Sequence, residues 1–106
     1  MGRYLTSTLN YATTNVVTGV SVTAVANNRV ICTAGSITVT LPATAVSGDT
    51  VQIIDVGGNA GSANITVARN GHEIQNAADN LVIDINNAAP ILVYTGVTYG
   101  WVIAGS

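Results

Sequence analysis

This chain has very few charged residues. Only 8% of its 106 residues are charged, whereas about a quarter are charged in an average soluble domain. There is no lysine, and Arg3, Arg29 and Arg69 stand against five acidic residues for a net charge of -2. Nucleic acids and anionic lipid surfaces are held by clustered Lys and Arg. The composition therefore predicts no nucleic-acid and no membrane partner. It favours a chain that buries much of its surface against copies or partners.

Residues that bind metals or form disulfides are nearly absent as well. Cys32 is the only cysteine, which excludes an intrachain disulfide and a thiolate metal cluster. We predict that it is a small buried residue on a strand. His72 is the only histidine, so one chain cannot form a histidine metal cluster. No apolar run approaches the roughly 18 residues that a membrane-spanning helix needs. No cofactor and no metal are predicted.

Short runs of Val, Ile and Thr, separated by Gly, Asn, Asp and Pro, fill most of the sequence. This pattern predicts strands at residues 16–25, 29–32, 36–41, 50–55, 64–68, 72–75, 81–85, 91–94 and 101–104. Asn70-Gly71 predicts a type I′ hairpin turn, because both residues tolerate positive φ. We therefore expect an all-β domain of short antiparallel strands, arranged as a sandwich or a β-prism, over residues 16–106.

The first fifteen residues carry large apolar side chains at Tyr4, Leu5, Leu9 and Tyr11. This spacing is compatible with one side of a short helix. It is equally compatible with an extended arm that docks on a neighbour. Termini are usually mobile unless something holds them. Because four large apolar side chains in this segment suggest that something does, we predict that residues 1–15 form an anchoring arm.

The remaining candidate residues indicate little chemistry. Asp49 and Asp55 are interpreted as turn residues whose side chains cap the backbone two residues further on. Tyr94, Tyr99 and Trp101 form an aromatic end, which favours a core or a subunit interface over a carbohydrate platform. A glycan hydrolase would need two carboxylates in a cleft with aromatic platforms, and only 5% of the residues are aromatic. We expect no enzymatic activity.

Several short motifs recur together in one order and spacing. A strand ends in Leu-Pro, a Gly-Asp opens the next strand, and "ITVARNGHEI" follows a Gly/Asn loop. The motif positions are Leu41-Pro42, Gly48-Asp49, Asp55, Ile65-Thr66-Val67, Arg69-Asn70-Gly71, Ile74, Tyr94 and Gly100-Trp101. Over roughly residues 15–104 this pattern resembles a module of tailed-bacteriophage virion proteins. The resemblance implies a homotrimer of β-rich chains, often intertwined around a threefold axis, and it carries over no catalytic residue.

Two placements in a virion follow from the resemblance. One is a capsid decoration (cement) protein on the exterior of the shell, which would bind the major capsid protein. The other is a tail-fibre or tail-tip module that binds host surface glycans. A chain of 106 residues with a short arm favours decoration. Under that hypothesis the homotrimer assembles in the host cytoplasm, and Tyr4, Leu5, Leu9 and Tyr11 grip the capsid. Under the alternative, Tyr94, Tyr99 and Trp101 supply the glycan platform.

Overall fold

Residues 13–105 are described by a computed structural model, and they form nine β-strands and no helix. Each strand contains Val or Ile, whose branched side chains suit a pleated sheet. The strands are β1 Thr14–Thr18, β2 Val22–Thr23, β3 Asn28–Cys32, β4 Thr38–Thr40, β5 Thr50–Asp55, β6 Ile65–Ala68, β7 Leu81–Ile83, β8 Ile91–Tyr94 and β9 Trp101–Gly105. The all-β prediction is confirmed. In this range no helix is long and apolar enough to cross a membrane.

The strands form two mixed sheets between which the chain alternates. The five-stranded sheet has the order β1-β3-β5-β8-β9, and the four-stranded sheet has the order β2-β4-β6-β7. Each of the first four strands pairs in parallel with the strand two places further along the chain. The last three strands then join antiparallel, β7 beside β6, β8 beside β5 and β9 beside β8.

The expectation of an antiparallel domain is therefore wrong for the first six strands. A strand that returns to a sheet after crossing the other sheet runs in the same direction as its predecessor, so neighbours become parallel. The predicted strand at 16–25 is likewise two strands, because the chain turns at Gly19 to change sheets. At this turn the Thr18 hydroxyl donates to the Val20 carbonyl at 2.9 Å and accepts from the Val20 amide.

The core lies between the inner faces of the sheets. Strands β3 and β5 alternate strictly between buried and half-buried residues, as expected when one face of a sheet is covered. Their parallel register places Val30 beside Ile53 and Cys32 beside Asp55. Val39, Ile65 and Val67 of the other sheet belong to the same buried cluster. Both sheets therefore share one hydrophobic core, which fixes the register of each strand.

Asparagine shapes many of the loops. Positive φ angles occur at six non-glycine residues, and four of them are asparagines, which tolerate this region best after glycine; the six are Asn27, Ser36, Asn70, Gln75, Asn76 and Asn87. The Asn27 side chain accepts a hydrogen bond from the Thr50 backbone amide, and the side-chain Nδ2 of Asn70 donates to the Leu41 carbonyl at 2.9 Å. Uncharged amides thus connect loops that are distant in sequence.

The turn at Asn70-Gly71 has positive φ at both residues, 50° and 90°, as a type I′ turn requires. The hairpin predicted around it is wrong, however. Strand β6 ends at Ala68 and pairs with β7, which begins at Leu81. Residues 72–75 form no strand, and only Ile74 makes isolated bridges, to Ala77 and Trp101. The turn therefore starts a loop that packs on β9.

Candidate functional site

Two of the three aromatic residues at the C-terminal end of the chain lie inside the folded domain. Tyr94 on β8 and Trp101 on β9 are register partners, with ring centroids 5.2 Å apart at an interplanar angle of 60°. Tyr94 is 2% exposed and Trp101 is 0% exposed. Neither ring presents a face to a sugar or to a second subunit. They seal the end of the core at which β8 and β9 join the five-stranded sheet.

His72 completes an aromatic cluster with these two residues. Its ring lies 5.0 Å from that of Tyr94 in a T-shaped arrangement. Its Nε2 lies 2.7 Å from the Ala43 carbonyl oxygen, which only accepts, so Nε2 carries the proton and donates. The Tyr94 hydroxyl then donates to Nδ1 over 3.3 Å. His72 thus connects three parts of the chain, and its nitrogens are used in structure.

Residues 73–75, in the connection between β6 and β7, pack closely against the start of β9. The Trp101 amide donates to the Glu73 carbonyl, and the Gln75 amide donates to the Trp101 carbonyl, each at 2.8 Å. Gly100 has a φ of 69°, and a Cβ at this position would overlap the Glu73 backbone. Only glycine allows this approach. The buried Trp101 Nε1 is the one buried side-chain nitrogen or oxygen in residues 13–105 without a hydrogen-bond partner.

Asp55 is a buried carboxylate at the end of β5. Its Oδ1 accepts from the Asn59 amide at 3.1 Å, and its Oδ2 accepts from the amides of Ala60 and Asn87 at 2.9 and 3.0 Å. Burial raises the pKa of the Asp55 carboxyl, but the backbone hydrogen bonds from Ala60, Asn59, Asn87 and Gly58 outweigh burial and hold the pKa below its usual 3.8. The ionised side chain therefore holds the Gly/Asn loop and residue 87 in place.

Both aspartates accept backbone hydrogen bonds in loops, but the prediction that each caps the backbone two residues further on is wrong. Asp49 accepts from the Val46 amide, three residues earlier, at 3.0 Å. Asp55 bonds residues four, five and 32 positions further on. Among residues 13–105, no group of three or more His, Cys, Asp or Glu side chains is placed to hold a metal ion.

Cys32 is buried, as predicted. Burial and then the neighbouring Asp55 charge raise the pKa of its thiol from 9.0 to about 11. Because thiolate is the reactive form, this side chain acts as a small core residue.

Tyr99 is the exposed member of the aromatic end, with 59% of its surface accessible. It lies in the loop between β8 and β9 and borders an open cavity of about 310 Å³ that Gln75, Asn76 and Val102 also line. Gln75 and Asn76 both have positive φ, 52° and 66°. The Gln75 Oε1 accepts from the Ile103 amide at 2.8 Å, which fixes this side chain against β9.

A second, apolar cavity of about 170 Å³ lies between β7 and β9. We call it the β7–β9 groove, and it is lined chiefly by Leu81, Ile83, Ile85, Ala88, Pro90 and Ile103. Asp84 is the one charged residue in its lining. Ile85 is 69% exposed, so the groove opens to the surface. Sequence reasoning missed it, because its residues come from two strands and a loop that meet only in the folded chain.

The arm residues Tyr4, Leu5, Leu9 and Tyr11 lie outside the described residues. No protein-family model and no curated protein matches this chain.

Proposed function

We propose that this chain is a non-enzymatic structural protein of a tailed-phage virion, namely a homotrimeric decoration protein that binds the outside of the capsid. The observation that carries the proposal is exposed aliphatic surface in a chain with few charges. Large exposed side chains occur on the first strands and their connections, and again at the β7–β9 groove; these are Val17, Val20, Val25, Val82, Ile85 and Ile103. Such surface favours burial against copies or a partner.

The resemblance to virion modules supports the same proposal. The motifs that carry it have structural roles here: Asp55 holds loops, Asn70-Gly71 forms a turn, and Gly100-Trp101 closes the core. A module whose recurring residues maintain a rigid scaffold suits a protein that acts by adhesion. The proposal of a trimer rests on this resemblance together with the exposed aliphatic surface.

Adhesion stabilises a shell by mass action. A trimer that binds only the assembled capsid adds its binding free energy to the stability of that state, about 2.7 kcal/mol per site at a concentration of 100 times Kd. Three identical contacts on one trimer raise the avidity further.

Reconstitution tests this function. Capsids that lack the protein are mixed with purified protein, and the bound copies and the temperature of genome release are measured. We expect saturable binding in multiples of three copies and a higher release temperature. A protein that leaves both the capsid composition and the release temperature unchanged would contradict the decoration function.

A second candidate, binding of host glycans by a tail module, is favoured by one observation. Tyr99 offers an exposed aromatic face beside the amides of Gln75 and Asn76, and this combination suits a sugar ring. Tyr99→Ala should then abolish glycan binding on an array. The control is Val97→Ala, because Val97 lies in the same loop and is 88% exposed; this variant should still bind. Absence of glycan binding by the unmodified protein would remove this candidate.

A further inference from the structure

The β7–β9 groove combines an apolar floor with an open strand edge. Strand β7 is the last strand of its sheet, so the backbone groups that face away from β6 have no strand partner in residues 13–105. The opposite wall is different, because Gln75 already bonds the backbone of Trp101 and Ile103 on the free edge of β9. An extended segment would therefore add to β7, with side chains in the groove.

We infer that the β7–β9 groove of one protomer binds residues 4–11 of a second copy, so that Tyr4, Leu5, Leu9 and Tyr11 contact a neighbour in place of the capsid contact expected from the sequence. This inference rests on the self-association contained in the proposed function. Residues 4–11, "YLTSTLNY", are uncharged, and three of the four large apolar residues, Leu5, Leu9 and Tyr11, have odd numbers. Because alternate residues of a strand face the same side, an extended segment added to β7 presents all three on the side of the groove, and Leu9, the middle one, is placed to enter it.

The size and the charge of the groove agree with this occupant. An apolar cavity of about 150 Å³ accommodates a benzene ring, so the groove, at about 170 Å³, has room for one large side chain. Asp84 is the charged residue of the groove, and Arg3 is the only charged residue among residues 1–12. The two charges are of opposite sign, and Arg3 directly precedes the apolar segment.

Chain length favours a second copy over the same chain. The segment joins the described chain beside β1, which is the opposite edge of the five-stranded sheet from β9. Four strand spacings separate these edges, on the order of 19 Å. Tyr11 lies three residues before Thr14 and reaches roughly 10 Å, and Leu9 reaches roughly 18 Å at full extension. Leu5, nine residues before Thr14, reaches roughly 31 Å, but Tyr11 and Leu9 fall short of the far edge. The whole segment therefore cannot lie along β7 of its own protomer, whereas the groove of a neighbouring copy imposes no such limit.

Disulfide trapping between two differently tagged full-length copies tests the inference. One copy carries Leu9→Cys and the other carries Ile85→Cys, and the native Cys32 remains in both because its thiol is buried. We expect a covalent heterodimer with at least tenfold higher yield than in the matched control, in which Val97→Cys replaces Ile85→Cys. Val97 is 88% exposed and does not line the groove. Equal yields, or no heterodimer, would overturn the inference.

Association measured by light scattering gives an independent readout. Ile85→Asp and Leu9→Asp should each weaken self-association at least tenfold, which corresponds to about 1.4 kcal/mol, while Val97→Asp should not. Because Ile85 is largely exposed, the chain of this variant should still fold, as an unchanged far-ultraviolet circular dichroism spectrum would show. If the protein forms trimers but the Leu9→Cys and Ile85→Cys copies give no disulfide, this interface is wrong and the decoration function is not contradicted. If the disulfide forms but the protein does not bind capsids, the interface is supported and the decoration function is contradicted.

Discussion

Replacement of Asp55 by asparagine tests how the loops of this fold are held. The substitution keeps the shape of the side chain but removes its charge and one acceptor. The less costly orientation keeps the carbonyl oxygen on Ala60 and Asn87 and turns the new amide toward the Asn59 N–H, which loses its partner. A hydrogen bond to a charged group contributes roughly 1.5–3 kcal/mol and a neutral one roughly 0.5–1.5 kcal/mol.

One lost bond and two weakened bonds sum to roughly 3–5 kcal/mol, and easier burial of the neutral amide offsets part of this cost. We expect a net loss of about 2–4 kcal/mol in the free energy of unfolding, measured by urea denaturation at pH 7. The matched control is Asp49→Asn, because Asp49 accepts a single amide hydrogen bond in an open turn. Its cost should stay below about 1 kcal/mol.

The pH dependence gives the same test a second readout. The pKa of Asp55 is lowered in the folded state, so the unfolded chain takes up the proton first as the pH falls. The stability from this carboxylate is therefore fully present above the unfolded pKa of 3.8 and is lost as the pH falls through the folded pKa. The difference between wild type and Asp55→Asn should be constant from pH 5 to 7 and shrink below about pH 4. A variant within about 0.5 kcal/mol of wild type at pH 7 would refute this account.

Three further changes test the packing around β9 and the core. Gly100→Ala should cost about 3 kcal/mol or more, because it adds strain at positive φ and an overlap with the Glu73 backbone; Gly105→Ala, whose Cβ would meet only ordinary contacts, should stay within about 1 kcal/mol in the same urea titration. Trp101→Phe should cost less than a typical large-to-small core change, because the indole N–H that it removes has no partner; a loss above about 4 kcal/mol would contradict this. Cys32, with its thiol pKa raised to about 11, should resist alkylation in native protein at pH 8 and react after denaturation, as mass spectrometry would show.

The fold class was predictable because strand composition is a local property. Five of the predicted strands match observed strands to within one residue at each end; they are 29–32 (β3), 50–55 (β5), 64–68 (β6), 91–94 (β8) and 101–104 (β9). The pairing was not predictable, because loop lengths do not reveal which sheet the next strand joins. Asn70-Gly71 shows the limit: its local geometry is that of a hairpin turn, yet packing against β9 replaces the expected partner strand.

The candidate sites depended on contacts between distant residues. The sequence around Asp55 predicts a turn residue. Its hydrogen bond with the Asn87 amide spans 32 residues, and no local sequence pattern indicates such a long-range bond. Tyr94 shares its face of β8 with Leu92, and both are buried, so its position in the core had a period-two signal. Tyr99 had no such signal, since it lies in a loop.

Cryo-electron microscopy of whole virions, at a resolution that identifies side chains, tests the central proposal most directly. A homotrimeric decoration protein predicts density for this chain on the capsid exterior at threefold or quasi-threefold positions, with residues 4–11 of each copy in the β7–β9 groove of a neighbour. Density confined to the tail would contradict the decoration function and turn attention to Tyr99 as a receptor-binding residue.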